Sequence, residues 1–175
     1  SSAVMVGIEY IIKKAHELKR PVVICLGLGT NFGSHDGFSI FEEYLSGISN
    51  LKGVCICNAA GNECQERHHT SGKLNTVGET QNVDVRVGSN AGNICISLWN
   101  RLSVSIRSPS GELVGRVPAK AGTSTEVKLV LENTRVTVEY YMPLEGSGGQ
   151  LTVVRILDAT PGIWTIIVHG DIILN

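Results

Sequence analysis

An α/β segment followed by an all-β sandwich is the architecture this sequence predicts. A partial parallel α/β core is expected over residues 1–75 and an antiparallel jelly-roll sandwich over residues 76–175. Three observations carry that expectation. Two continuous apolar runs, Val22–Leu26 and Val54–Ala60, each come after a stretch of helical period. From about Thr80 the hydrophobic period drops to two, and clusters of turn-forming residues punctuate the remainder of the chain.

The elements are taken in chain order. Val4, Ile8, Ile11, Ile12, Ala15 and Leu18 recur at helical spacing and predict one buried helix face. Lys19 and Arg20 suit the negative end of the helix dipole, and Pro21 stops the helix. The run Val22–Leu26 is apolar without alternation, the pattern of a parallel strand covered on both faces. It ends in the glycine-rich loop Gly27–Gly33. Ser39 and Glu42 have capping-box spacing, and Phe41, Leu45 and Ile48 form the apolar stripe of a second helix. A second buried strand, Val54–Ala60, runs into Gly61-Asn62-Glu63. Two strands alone cannot bury both of their faces, so this half reads as incomplete.

Alternation then takes over at Val83/Val85/Val87, Ile94/Ile96/Leu98, Val104/Ile106, Val127/Leu129/Leu131, Val136/Val138/Tyr140, Leu151/Val153 and Trp164/Ile166/Val168. The turns are Ser108–Gly111, Glu132-Asn133, Gly146–Gly149 and Asp158–Gly162. About seven to nine short strands of this kind make a sandwich.

Composition excludes several classes. The chain has 175 residues, 42% hydrophobic and 18% charged, with a net charge of −1. That is enough apolar material to fold and too little charge for disorder. A nucleic-acid binder needs a basic face, which a near-neutral chain does not offer. No run approaches the roughly 20 apolar residues that span a membrane. The start lacks a charged leader and an initiator Met, so the sequence reads as a piece of a longer chain. Four of the five cysteines (Cys25, Cys55, Cys57, Cys64, Cys95) lie in or beside apolar runs, which predicts buried free thiols and a reducing compartment.

Two constellations point to chemistry. Asn62 comes after a buried strand and a glycine, so its amide can be held rigid with the NH2 in a cleft. Such a donor binds an oxygen that becomes negative during acyl transfer; a plain Gly-Asn turn is the alternative. Leu26-Gly27-Leu28-Gly29 closes the first strand, where exposed backbone can pair with an extended peptide. Both lie beyond the carboxyl ends of strands, the ligand side of open α/β sheets. Of the other tempting residues, His35-Asp36 reads as loop structure. His68-His69 lacks ligand partners other than Cys64, so neither a metal nor a cofactor is expected. Trp99, Trp164, Tyr140 and Tyr141 fit core packing better than a sugar-stacking platform.

Together, Pro21–Gly29 and Val54–Glu63 resemble the subtilisin-like serine peptidases. Gly29-Thr30-Asn31, Gly33–Gly37, His68-His69 and Gly72 narrow the resemblance to the germination-type (Csp-like) subtilases, which carry a jelly-roll domain inserted in the protease domain. Arg107–Glu112 and Thr160–Ile166 resemble that inserted domain. The resemblance implies a partial subtilisin-like core and a polypeptide substrate. Leu26, Gly27, Leu28 and Gly29 would line the cleft, and Asn62 would be the oxyanion donor. It also implies the remainder of the parent protease domain as a partner and a spore-associated or cytoplasmic setting. The family's Asp and His segments are missing upstream of Asn62. Gly122-Thr123-Ser124 imitates the serine motif, but the Ala and Pro that should come next are absent and a strand pattern begins, so no nucleophile is assigned. Gly27 stands where the family has Ser, and Cys64 where it has Gly. These departures keep a second reading, a catalytically inactive relative that regulates partner proteases, beside that of an endopeptidase segment. A carbohydrate-binding sandwich is a third.

Overall fold

The computed structural model describes residues 2–33, 35–62, 65–90, 92–144 and 148–172. The chain divides into two compact units, Ser1–Thr70 and Ser71–Asn175.

The first unit runs α1 (Ser2–Glu17), β1 (Val22–Leu26), α2 (Ile40–Ser49) and β2 (Val54–Asn58). The capping box forms in full: the Glu42 amide donates to Ser39 Oγ at 3.3 Å, and the Ser39 amide donates to Glu42 Oε2 at 3.1 Å. β1 and β2 pair in parallel with Val22 beside Val54 and Leu26 beside Asn58. Ile8, Ile24 and Ile48 form the small core, with Val4, Ile12, Val22, Leu26, Tyr44, Leu45 and Ile56 packed on it. Tyr44 Oη ties α2 to α1 by donating to the Met5 carbonyl at 3.1 Å and to Glu9 at 3.0 Å.

Only one face of this two-stranded sheet is covered. Val23 is 69% exposed, and Cys25, Cys55 and Cys57 point out on the same side. The expectation of buried thiols is therefore corrected: Cys25, Cys55, Cys57 and also Cys95 are free and exposed. For the first three, both helices pack on the Ile24–Ile56 side, and among the described residues none covers the other. Cys95 sits out of phase with Ile94, Ile96 and Leu98 on an alternating strand and so faces away from the core. Cys64 lies outside the described residues. The stripe of α1 is also narrower than its sequence suggests, because Ile11 and Leu18 are exposed where a two-stranded sheet gives them nothing to cover.

The second unit contains β3 (Thr80–Val87), β4 (Ile94–Trp99), β5 (Leu102–Arg107), β6 (Leu113–Val117), β7 (Ser124–Leu129), β8 (Thr134–Tyr141), β9 (Leu151–Leu157) and β10 (Gly162–Gly170). They form two four-stranded antiparallel sheets, β3-β10-β5-β6 and β4-β9-β8-β7. Pairing of the first two strands with the last two is a jelly-roll-like nesting, while the inner strands close as two hairpins, β5–β6 and β7–β8. Alternating residues from both sheets meet in one core that includes Val104, Ile106, Val136, Val154, Trp164 and Ile166, all fully buried. Trp164 and Tyr140 lie inside this core and so cannot form a sugar platform. Ser124 opens β7 rather than a helix. Leu131, read from sequence as continuing that strand, sits exposed in the turn after it. At Gly162 (φ 139°) a Cβ would meet the Pro109 ring at 2.7 Å, so glycine is what lets β10 start against the β5–β6 turn.

Three turns at one end of the sandwich are held by carboxylates. Glu112 accepts from the Val130 and Leu131 amides at 2.8 and 2.9 Å, and Glu132 accepts from the Ser110 amide at 2.8 Å. Partial burial works against the Glu132 charge. The Ser110, Ser108 and Thr160 hydroxyls and the Ser110 amide outweigh it and bring the carboxyl down to about 2.

Candidate functional site

The parallel register sets the geometry. Because Leu26 lies beside Asn58, both strands of the first unit release their chains at the same end of the sheet. A further bond from the Ala59 amide to the Leu26 carbonyl, 3.1 Å, carries the pairing one step past the strands. Gly27–Gly29 then leaves one strand and Ala59–Asn62 the other. This is the carboxyl side where α/β sheets hold ligands.

Leu28 is 66% exposed, and Gly27 and Gly29 are exposed beside it. A Cβ at Gly27 or Gly29 would meet nothing within 4 Å, and neither carries a positive φ. The fold of this chain therefore does not require glycine at either position. What glycine leaves there is open backbone along the edge that continues β1.

Gly61 is different. Its φ of 90° is a left-handed conformation that turns the chain immediately before Asn62. Asn62 is exposed, and among the described residues no hydrogen bond engages its side chain. Its amide is thus available as a donor. The sequence flags Asn62, whereas the backbone turn that aims it is legible only as a glycine of unspecified purpose.

Two neighbouring loops come together. The His35 and His69 rings stack with centroids 5.6 Å apart and planes 11° apart. Asn31 Nδ2 and His68 Nδ1 lie 3.5 Å apart. Asp36 does not form a dyad with His35: its Oδ1 accepts from the Phe38 amide at 3.1 Å in a local turn. Among the described residues, no three His, Cys, Asp or Glu side chains are grouped to hold a metal ion. Ser34, Glu63 and Cys64 lie outside the described residues. On the open face, the Cys57 thiol is raised above the usual thiol range, first by its hydrogen bond to Cys55 and also by the nearby Cys25.

Among the described residues, the second unit offers no comparable arrangement. A shallow cavity of about 320 Å³ is lined by Lys128, Asn133, Thr134, Arg135, Leu157 and Asp158 and gathers no nucleophile with a base. Among the described residues, no helix is long and apolar enough to cross a membrane.

No family model and no curated protein sequence matches this chain. Among solved structures, it is similar to the CspB protease of Clostridium perfringens, with a TM-score of 0.85 and 28% sequence identity. The match covers 96% of this chain and 37% of that protein, so the chain spans well under half the length of the protease it resembles.

Proposed function

We propose that this chain is a segment of a subtilisin-like serine endopeptidase of the germination type, comprising part of the protease core and a sandwich inserted into it. The observation that carries this reading is the parallel register of β1 and β2. It sets the open Leu26–Gly29 edge and the Asn62 amide at the same end of one sheet. In that reading an extended peptide adds to the Leu26–Gly29 edge as a strand, with the glycines giving its backbone close approach. Asn62 donates to the carbonyl oxygen of the scissile bond as it becomes negative. The Ser-His-Asp machinery that attacks the bond belongs to the rest of the parent domain. Similarity to the CspB protease supports the assignment.

Two further features support the segment reading. The uncovered apolar face of Val23, Cys25, Cys55 and Cys57 is one that the remainder of a doubly wound sheet and its helices would cover. In the sandwich, the Gly78 amide donates to the Gly170 carbonyl and the Gly170 amide to the Glu79 carbonyl, both at 2.9 Å. The chain therefore enters and leaves the sandwich side by side, as an insertion into a host domain requires.

The test is peptidase activity on a chromogenic peptide together with a thiol footprint. The 175-residue chain alone should cleave nothing, with Ser124→Ala indistinguishable from it. A longer polypeptide that supplies the triad should cleave, and in it Cys25, Cys55 and Cys57 should be protected from alkylation while Cys95 stays reactive. Cleavage by the chain alone, lost on Ser124→Ala, would overturn the proposal. Gly27, standing where the family has Ser, favours a second reading, an inactive relative that regulates partner proteases. That reading holds if the longer polypeptide protects the same thiols and cleaves nothing.

A further inference from the structure

The three turns tied together by Glu112 and Glu132 carry apolar side chains out into solvent. Val130 and Leu131, at the turn between β7 and β8, are 78% and 73% exposed. Leu113, which opens β6, and Ile163, near the start of β10, are 60% and 50% exposed. Glu112 precedes Leu113 and holds the Val130 and Leu131 amides, and Gly162 precedes Ile163 and abuts the Pro109 ring. Single exposed apolar residues are ordinary, whereas several on adjoining turns mark a surface that meets something. Gly78 and Gly170, where the chain enters and leaves the sandwich, lie at the opposite ends of β3 and β10. The apolar end therefore points away from that junction.

Basic residues stand directly behind it. Arg86 is the register partner of Ile163, Arg107 of Leu113, and Lys128 of Arg135, and all four basic side chains are exposed. Among the described residues no ion pair engages Arg86, Arg107 or Lys128, while Arg135 meets Glu126 at 3.4 Å. Three carboxylates share this end. Glu112 and Glu132 are turned onto backbone amides, which partly offset their charge. Asp158 lines the shallow cavity of about 320 Å³ together with Lys128 and Arg135.

We propose that this end of the sandwich docks onto an anionic lipid bilayer: Val130 and Leu131 enter the boundary between headgroups and acyl chains, and Lys128 and Arg135 take a lipid phosphate at the cavity beside them. The inference concerns the sandwich alone and stands whether or not the chain belongs to a peptidase. Three observations favour lipid over a protein partner. The apolar residues project from turn tips instead of lining a groove, which suits entry into a fluid phase and offers a peptide nothing to lie in. The backbone of the tip is already paired: the Val130 and Leu131 amides donate to Glu112, and the Asn133 amide donates to the Val130 carbonyl at 3.4 Å. A turn that leaves water needs such partners, because a bare amide finds none among acyl chains. The cations, one or two residues back from the tips, come to headgroup level, where each lysine or arginine adds attraction to an anionic leaflet.

Cosedimentation of the 175-residue chain with vesicles of phosphatidylcholine alone, and of phosphatidylcholine mixed with phosphatidylglycerol, tests this. The chain should partition onto the mixed vesicles, bind the neutral ones about tenfold more weakly, and come off as salt is raised. Val130→Ser with Leu131→Ser should lower partition by at least about tenfold, with the urea midpoint unchanged because neither side chain belongs to the core. Lys128→Gln with Arg135→Gln should lower it about tenfold on the mixed vesicles only. Val77→Ser, 70% exposed beside Gly78 at the other end, should change nothing. No partition onto the mixed vesicles, or equal partition onto both kinds, would overturn the proposal. So would full partition of the Val130→Ser, Leu131→Ser chain, which would assign the adhesion to another surface such as the uncovered face of β1 and β2.

Discussion

Tyr140→Phe gives the sharpest test of the sandwich core. The Tyr140 ring is 1% exposed, and its hydroxyl donates to the Val117 carbonyl at 2.6 Å, joining β8 of one sheet to β6 of the other. Phenylalanine keeps the ring and its packing, so no large cavity term enters. What is lost is one buried hydrogen bond, with the Val117 carbonyl left facing apolar surroundings. Such an unmet group costs about 1–3 kcal/mol. In a domain of this size, 2 kcal/mol lowers the melting temperature by roughly 8–16 °C. Tyr141→Phe is the internal control. Tyr141 is 45% exposed and donates to Glu139 at 3.1 Å, so its loss should stay within about 0.5 kcal/mol. Urea unfolding followed through the buried Trp164 measures both. There is also an alkaline arm. Burial pushes the Tyr140 phenol up to about 12, so wild type loses stability as pH rises above the ordinary value near 10 toward 12. Tyr140→Phe should lack that part of the loss. Equal midpoints for the two variants, or a Tyr140→Phe midpoint matching wild type, would refute the reasoning.

Three other outcomes are expected from the same geometry. Ser39→Ala removes the oxygen that accepts from the Glu42 amide, leaving only the bond from the residue 39 amide to Glu42, and should cost about 1 kcal/mol, read from helix content and the unfolding midpoint of the first unit. Glu132, lowered to about 2, contributes stability that is present above the ordinary carboxyl value and lost as pH falls from about 4.3 toward 2; in Glu132→Gln the acid limb of the stability curve should flatten. In native conditions Cys25, Cys55, Cys57 and Cys95 should all be alkylated without denaturant, with Cys57 slowest near neutral pH because its thiol is raised; masking of any of the four would contradict the exposed placement.

Local features were the most legible in the sequence. The Ser39–Glu42 box, the period-two strands and the turns at Ser108–Gly111, Glu132-Asn133 and Asp158–Gly162 all announce themselves through neighbours close in the chain, while the turn expected at Gly146–Gly149 lies partly outside the described residues. β6 hid because Gly115 interrupts Leu113–Val117 and because its register against β5 shifts between Val104 and Ile106, which blurs the alternation. The exposed thiols were misread for a physical reason. A continuous apolar strand states that both faces seek cover, not that both find it, and β1 and β2 have helices on one side only. The apolar end of the sandwich lay beyond sequence reasoning because it depends on β10 sitting beside β5 and on Glu112 reaching the β7–β8 turn, contacts between residues far apart in the chain that no local pattern encodes. At the candidate site, Asn62 and the Leu26–Gly29 edge were legible from strand ends and glycines. The left-handed turn at Gly61 and the absence of any structural demand for glycine at 27 and 29 emerged only with the backbone.

The reading of Asn62 as an oxyanion donor is tested most directly by Asn62→Ala in a polypeptide long enough to carry the triad, with kcat and KM measured separately on a peptide substrate. Removing the corresponding kind of donor from subtilisin is known to lower kcat by about 10²–10³. The account predicts a fall of that order with KM nearly unchanged, because the interaction forms only as the carbonyl oxygen becomes charged. An unchanged kcat, or a loss confined to KM, would contradict it.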